Sequence, residues 1–442
     1  MAPDYGGQRV RGRGWEVKVV AGQREESREE PRQRPSLRVI GGMLIDGTGA
    51  EPRPAAVGIE NGEIVEISSA AHKLREGDID ATGKYIVPGL INMHEHLTYR
   101  ELKGPTADAI RLGPVEATIV AVRNALNALS RGWTTVVDMG AAYNIAGTVA
   151  QMIREGALYG PRILTVCQPI SVTGGHASGG GLCIQADGPE ECRKAARRVL
   201  AAGADLVKVM ASHDPWEMPG VEQSRPEMSP EEIRAAYAEA RRWGKLATCH
   251  VMGREAIANV IEAGVNIIHH GVYLDVDLAK EMARSEITYC PTASAYCRQT
   301  MNPAFERGER WGREHEVLVE PHLKSLRVAF EAGVRMVVGT DSTGSYAEEI
   351  ALLRDAGMPA MDTLVASTRY AAEALHIDDE VGTVEVGKVA DLVVLERDPL
   401  EDSYALQEVA YVIREGRVYL PKHLVLERCD DKKWIPRHLG GR

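Results

Sequence analysis

The sequence predicts an α/β protein: a (β/α)8 TIM-type barrel with a small β-sandwich domain formed from both chain ends. Three observations predict it. The long middle of the chain alternates short apolar runs with amphipathic helical patterns. Gly-punctuated, β-rich runs of one style stand on both sides of that middle. The 442-residue length exceeds one small domain and accommodates a large barrel plus a second unit.

Residues 1–36 come first and read differently from the rest. "RVRGRGWEVKVVAGQREESREEPRQRPS" is rich in Arg, Glu, Gln and Gly and holds no sustained period, so it reads as a mobile N-terminal extension. Residues 37–88 form the first part of the sandwich. "LRVIGGMLIDGTG" and "AAVGIENGEIVEISS" are short strands, and Asn61-Gly62 is a hairpin signal. Residues 381–442 supply the second part and a C-terminal tail, with "KVADLVVLERDPL", "EVAYVIREGRVYL" and a turn at Glu415-Gly416.

Residues 89–380 carry the barrel. Its eight candidate strands are "VPGLINM" (87–93), "TTVVDM" (134–139), "RILTVCQ" (162–168), "LVKVMA" (206–211), "LATCHV" (246–251), "NIIHH" (266–270), "ITYCPT" (287–292) and "RMVVGT" (335–340). Helical patterns such as "EATIVAVRNALNALSRG", "GPEECRKAARRVLAAG" and "EVLVEPHLKSLRVAFEAG" lie between them. "SPEEIRAAYAEARRWG" opens with Ser229 as N-cap, Pro230 at the first helical position and Glu232 closing a capping box, and it stops at Gly244.

In such a barrel, chemistry sits where strands end and loops begin. The first run ends in His94 and His96, which share a face because strand residues i and i+2 do. The fourth contains Lys208, the fifth ends at His250, the sixth at His269-His270, and the eighth leads into Asp341. Each has an ordinary alternative. A histidine at a strand end is commonly a hydrogen-bonded structural residue, and Asp341 could cap the next helix. Lys208 could be buried in a salt bridge to Asp205 or Asp138. Otherwise a lysine inside an apolar strand is costly unless neutral. Burial lowers its pKa, and a neutral amine can take up carbon dioxide as a carbamate that bridges two metals. Of the pair on the sixth strand, alternation admits one inward side chain. His270 is expected there, with His269 facing the helical layer.

Taken together, "VPGLINMHEHL", "VKVMAS", "CHVMG", "IIHHGVYLD", "CPTASAY", "GTDS" and "VGKVADLVVLERDPL" resemble the amidohydrolase superfamily, in particular its metal-dependent, prolidase-like carboxypeptidases and amidases. The likeness covers roughly residues 37–420. It implies a binuclear centre: His94, His96 and Asp341 on one metal, His250 and His270 on the second, and carboxylated Lys208 bridging both. Two divalent metal ions are expected, zinc by default, with Mn²⁺, Co²⁺ or Fe²⁺ open. "SVTGGHASGGG" resembles the "TGGH" segment of the prolidase-like group and places His176 over the metals as a catalytic or substrate contact. The family's Gly-rich loop after the lysine reads "SHDPWEMPG" here, so His213 and Trp216 reshape the pocket. Tyr296, Arg298 and Arg100 are further candidates for substrate binding.

The implied reaction is hydrolysis of an amide bond, in a dipeptide or an N-acyl amino acid with a free carboxylate. A metal-bridging hydroxide attacks, and Asp341 shuttles the proton to the leaving amine. The same centre would serve cyclic amides, lactones or organophosphates. A non-catalytic scaffold of the same fold is the reading from another class, and the full ligand set weighs against it. Composition bounds the rest. A formal charge of −11 argues against nucleic-acid binding. No run of 18 apolar residues argues for a membrane span. Seven scattered cysteines without a CxxC fit a reducing cytoplasm. A homo-oligomer is compatible with the chain.

Overall fold

A computed structural model describes residues 36–69, 72–99, 112–178, 181–214, 225–296, 309–342 and 344–424. The chain opens with β1 (Leu37–Leu44), β2 (Arg53–Glu60), β3 (Glu63–Ser68), β4 (Ile79–Asp80) and β5 (Tyr85–Pro88). The β2–β3 hairpin turns on Asn61 (φ 52°) and Gly62 (φ 87°), the left-handed pair that matches strand twist. After Gly89 comes β6 (Leu90–Glu95), so the run read as one strand over 87–93 is divided between two sheets. Gly89 explains the division. A Cβ there would lie 2.0 Å from Thr134 Oγ1, so the backbone passes where only glycine fits.

Parallel strands follow: β7 (Trp133–Asp138), β8 (Arg162–Thr165), β9 (Ile170–Ser171), β10 (Ile184–Gln185), β11 (Leu206–Met210), β12 (Leu246–Val251), β13 (Ile267–His270) and β14 (Thr288–Cys290). They pair as a three-stranded sheet, β6-β7-β8, and a six-stranded sheet, β10-β9-β11-β12-β13-β14. Helices such as Pro114–Ser130, Pro189–Ala201, Pro230–Arg242 and Arg254–Ala263 alternate with them, a TIM-barrel-like α/β arrangement. The Ser229–Glu232 capping box forms as the sequence predicts. Backbone bonds bridge the two parallel sheets at both margins. Asp205 N donates to Thr165 O at 2.8 Å. On the other side Met336 bridges Tyr289, and Met93 N donates to Val338 O at 2.9 Å. The eighth run, 335–340, thus takes part through a bridge and single bonds rather than a full strand.

The chain returns through β15 (Leu392–Leu395), β16 (Val409–Arg414) and β17 (Arg417–Tyr419). The first and last described strands join in one mixed sheet of order β17-β16-β15-β5-β1-β2-β3, with β4 beside β1. The β16–β17 turn uses Glu415 (φ 50°) and Gly416 (φ 73°). A Cβ on Gly416 would sit 2.9 Å from Gly62 Cα, so the tips of the first and last hairpins abut. Alternation makes β15 a shared wall. Leu392 and Val394 enter the sheet's own core with Val57, Ile64 and Ile86, while Val393 and Leu395 pack with Val87 and Leu90 into the larger core that the helices also line. Cys167, Cys183, Cys192, Cys249 and Cys290 are free and buried. Among the described residues no helix is long and apolar enough to cross a membrane.

Candidate functional site

Several of the strand-end side chains lie close together. His94 closes β6 wholly buried, and His96 follows it with its Nε2 3.3 Å from His94 Nε2. Asp341 Oδ1 stands 3.3 Å from His94 Nε2 and 3.4 Å from His96 Nε2. The His270 ring centroid is 5.1 Å from that of His94 and 4.5 Å from that of His250. His94, His270 and Asp341 each offer a ligand atom within 4.8 Å of the others, a spacing one cation can span.

Neighbouring groups aim these rings. His96 Nδ1 donates to Gly140 O at 2.9 Å, which leaves the Nε2 lone pair toward Asp341. Thr292 Oγ1 donates to Pro291 O at 2.5 Å, so it accepts from His270 Nδ1 at 2.7 Å. His250 Nε2 is buried with no hydrogen-bond partner among the described residues, an orphan that a metal would satisfy. Burial, ahead of any charge, holds His94, His250 and His270 well below the usual imidazole range, the neutral form a metal requires.

Lys208 is buried in β11, and its Nζ donates to Met139 O at 3.1 Å. The alternative salt bridges do not form. Asp205 accepts from Thr165 N at 3.0 Å, and Asp138 accepts from Leu97 N at 2.9 Å and Gly140 N at 3.1 Å. Burial pulls the lysine below its usual pKa, toward the neutral amine.

The backbone at this rim is strained. His270 (φ 68°), Thr292 (φ 53°), Asp341 (φ 51°) and Ser342 (φ 58°) all occupy the left-handed region without being glycine. The register of β13 corrects one expectation. His269 does not face the helical layer; its Nδ1 lies 2.9 Å from His94 Nδ1. Alternation itself turns His269 to the face of its register partner His250, and the change in sign of φ at His270 brings the next ring to the same side.

His176 lies against His250, ring centroids 4.1 Å apart, and its backbone N donates to Glu227 Oε2 at 2.8 Å. Glu227 Oε1 also meets His213 Nδ1 at 3.0 Å, so one carboxylate holds both loops. His213 is buried. Tyr296 OH donates to Asp214 Oδ2 at 2.8 Å, and its ring meets His270 edge-on at 5.6 Å. Asp214, His176 and His250 form a further group with ligand atoms within 4.8 Å of one another. Arg298, Arg100 and Trp216 lie outside the described residues.

Sequence reasoning missed Glu95, Glu227 and Asp214. Glu95 sits between the two histidines yet points away from them. It accepts from His96 N at 3.0 Å, Thr340 Oγ1 at 3.1 Å and Ser342 Oγ, clamping β6 to the Asp341 segment. Its place in His-Glu-His was the available signal. Glu227 and Asp214 carried none.

Comparison with known proteins accords with this geometry. The amidohydrolase family model matches residues 85–419. Ochratoxinase from Aspergillus niger is 28% identical over 421 residues, covering 86% of each chain. A 5-methylthioadenosine/S-adenosylhomocysteine deaminase from Symbiobacterium thermophilum is 26% identical over 429 residues, covering 87% of this chain and 91% of its own. Among solved structures, a Xaa-Pro dipeptidase with methionine bound in its active site superposes with a TM-score of 0.79 at 27% identity, covering 87% of this chain and 99% of that one.

Proposed function

The chain belongs to the amidohydrolase family and is an enzyme, and from that premise we propose that it hydrolyses an amide bond in a dipeptide or N-acyl amino acid. The observation that carries this reading is the meeting of His94, His96, His270 and Asp341, with His250 and Lys208 beside them, at one set of strand ends. We read the two parallel sheets and residues 335–340 as one closed barrel around that rim, with the end sheet folded as a small sandwich. The free, buried cysteines favour a reducing cytoplasm.

His94, His96 and Asp341 would hold one divalent cation, His250 and His270 a second, and the Lys208 carbamate would bridge them. Metal bound by these residues would supply a water acidified toward neutrality and an electrophile for the scissile carbonyl. The protein's own groups do the remainder. Asp341, close to Nε2 of both rim histidines, takes the proton of the attacking water and returns it to the leaving amine. Lys208, pushed toward the neutral amine by burial, accepts carbon dioxide and releases a proton to the medium as its carbamate forms. His176 and Tyr296 line the approach, and Arg298 supplies a counter-charge for the substrate carboxylate.

A screen of dipeptides and N-acyl amino acids, with zinc and bicarbonate supplied, tests the reading. Turnover of lactones or phosphotriesters but of no amide would replace it with the neighbouring substrate class. Metal analysis should find about two ions per chain. Lys208→Ala should lower that content and abolish turnover; full activity in this variant refutes the bridge.

A further inference from the structure

His269 has no part in the ligand set proposed above, yet it is wholly buried and in direct contact with a member of it. The two rings meet edge to face, centroids 4.6 Å apart and planes at 89°, with Nδ1 facing Nδ1 at 2.9 Å. His94 turns its other nitrogen, Nε2, to His96 and Asp341. We propose that His269 is the positioning residue for His94, accepting the proton of its Nδ1–H and so presenting the Nε2 lone pair to a divalent cation.

The assignment follows from proton counting. One proton lies between the two Nδ1 atoms. If it belonged to His269, a neutral His94 would carry its own proton on Nε2, the atom facing Asp341 and His96, and could not ligate. Ligation therefore requires the proton on His94 Nδ1 and the lone pair on His269 Nδ1. Each neighbouring ring with a stated Nδ1 contact is fixed by an oxygen: His96 by the Gly140 carbonyl and His270 by the Thr292 hydroxyl. His94 is the member fixed by a second imidazole. His269 owes this reach to its register opposite His250, which gives it the same face, and the left-handed turn at His270 brings the second ring to that side as well. Partners of this kind, one bond removed from the metal, typically govern affinity by about 10–100-fold.

The inference rests on the metal-holding role proposed for His94. It is tested with full-length His269→Gln and His269→Met, unbranched residues of similar size, of which only glutamine offers an oxygen acceptor. Zinc affinity is read by competition with a chromophoric chelator, and melting of the metal-free proteins reads packing. Methionine should weaken zinc about 10–100-fold while glutamine keeps most of the affinity, with both metal-free variants melting alike. Equal affinity in the two variants, whether both near wild type or both reduced, overturns the role of His269. Should the methionine variant not fold, the glutamine variant decides: a loss beyond about tenfold overturns the proposal. A wild-type protein that binds no zinc, cobalt or manganese would remove the metal centre itself, and with it this reading.

Discussion

Asp341 combines a left-handed backbone (φ 51°) with a carboxylate oxygen against two imidazoles. Asparagine tolerates that φ nearly as well as aspartate, so Asp341→Asn separates charge from backbone. Its turnover should fall by about 10²–10⁴-fold while the metal-free protein melts as wild type does. A variant with near-normal kcat would remove Asp341 from the proton path. Gly339 shows the same close tolerance: a Cβ there would lie 2.8 Å from His94 Cβ and 2.6 Å from Cys290 Sγ. At this scale the proximity of His94, His96, His250 and His270 was legible because residue type and strand end coincide, whereas Lys208 was marked by its place inside an apolar strand. The sequence was opaque where a role depends on a contact made far along the chain. Glu95 meets Thr340 and Ser342, and His269 meets His94, pairings that no local pattern encodes.

The helix Tyr346–Asp355 contributes Glu349, which accepts from Ala293 N at 3.0 Å and Ser294 N at 2.6 Å and so pins the turn that follows β14. Burial raises this carboxyl to about 7. Because the folded pKa is raised, the group favours the fold most below its unfolded value, and that contribution is lost as pH rises toward 7. The stability of wild type relative to Glu349→Gln should therefore fall by on the order of 2–3 kcal/mol between pH 5 and pH 7. Denaturant melts at both pH values check this, and a constant difference would show that Glu349 does not titrate in that window. Strand and helix periods were readable for most elements because their apolar faces are continuous. Two strands departed from the pattern for backbone reasons. Gly89 breaks the first, and residues 335–340 divide their hydrogen bonds between Tyr289 on one side and Met93 and His94 on the other.

At the largest scale, among the described residues, β15 serves two cores at once. Leu392→Ala should cost about 2–5 kcal/mol, and the loss should appear in one cooperative transition because the end sheet and the α/β region share that wall. Two separate transitions would show that they unfold independently. The β-rich composition of residues 37–88 and 392–419 agrees with their shared sheet, but their register was not readable, since pairing depends on partners hundreds of positions apart. That separation has a temporal consequence. β5 is laid down early, but its neighbour Leu392–Leu395 leaves the ribosome only after some 300 further residues, roughly 15–60 s later at ordinary elongation rates. Until then the nascent chain carries an open β-edge, the kind of surface chaperones cover. Translation stalled before residue 392 should leave residues 37–88 readily cut by protease, and release of the full chain should make them resistant.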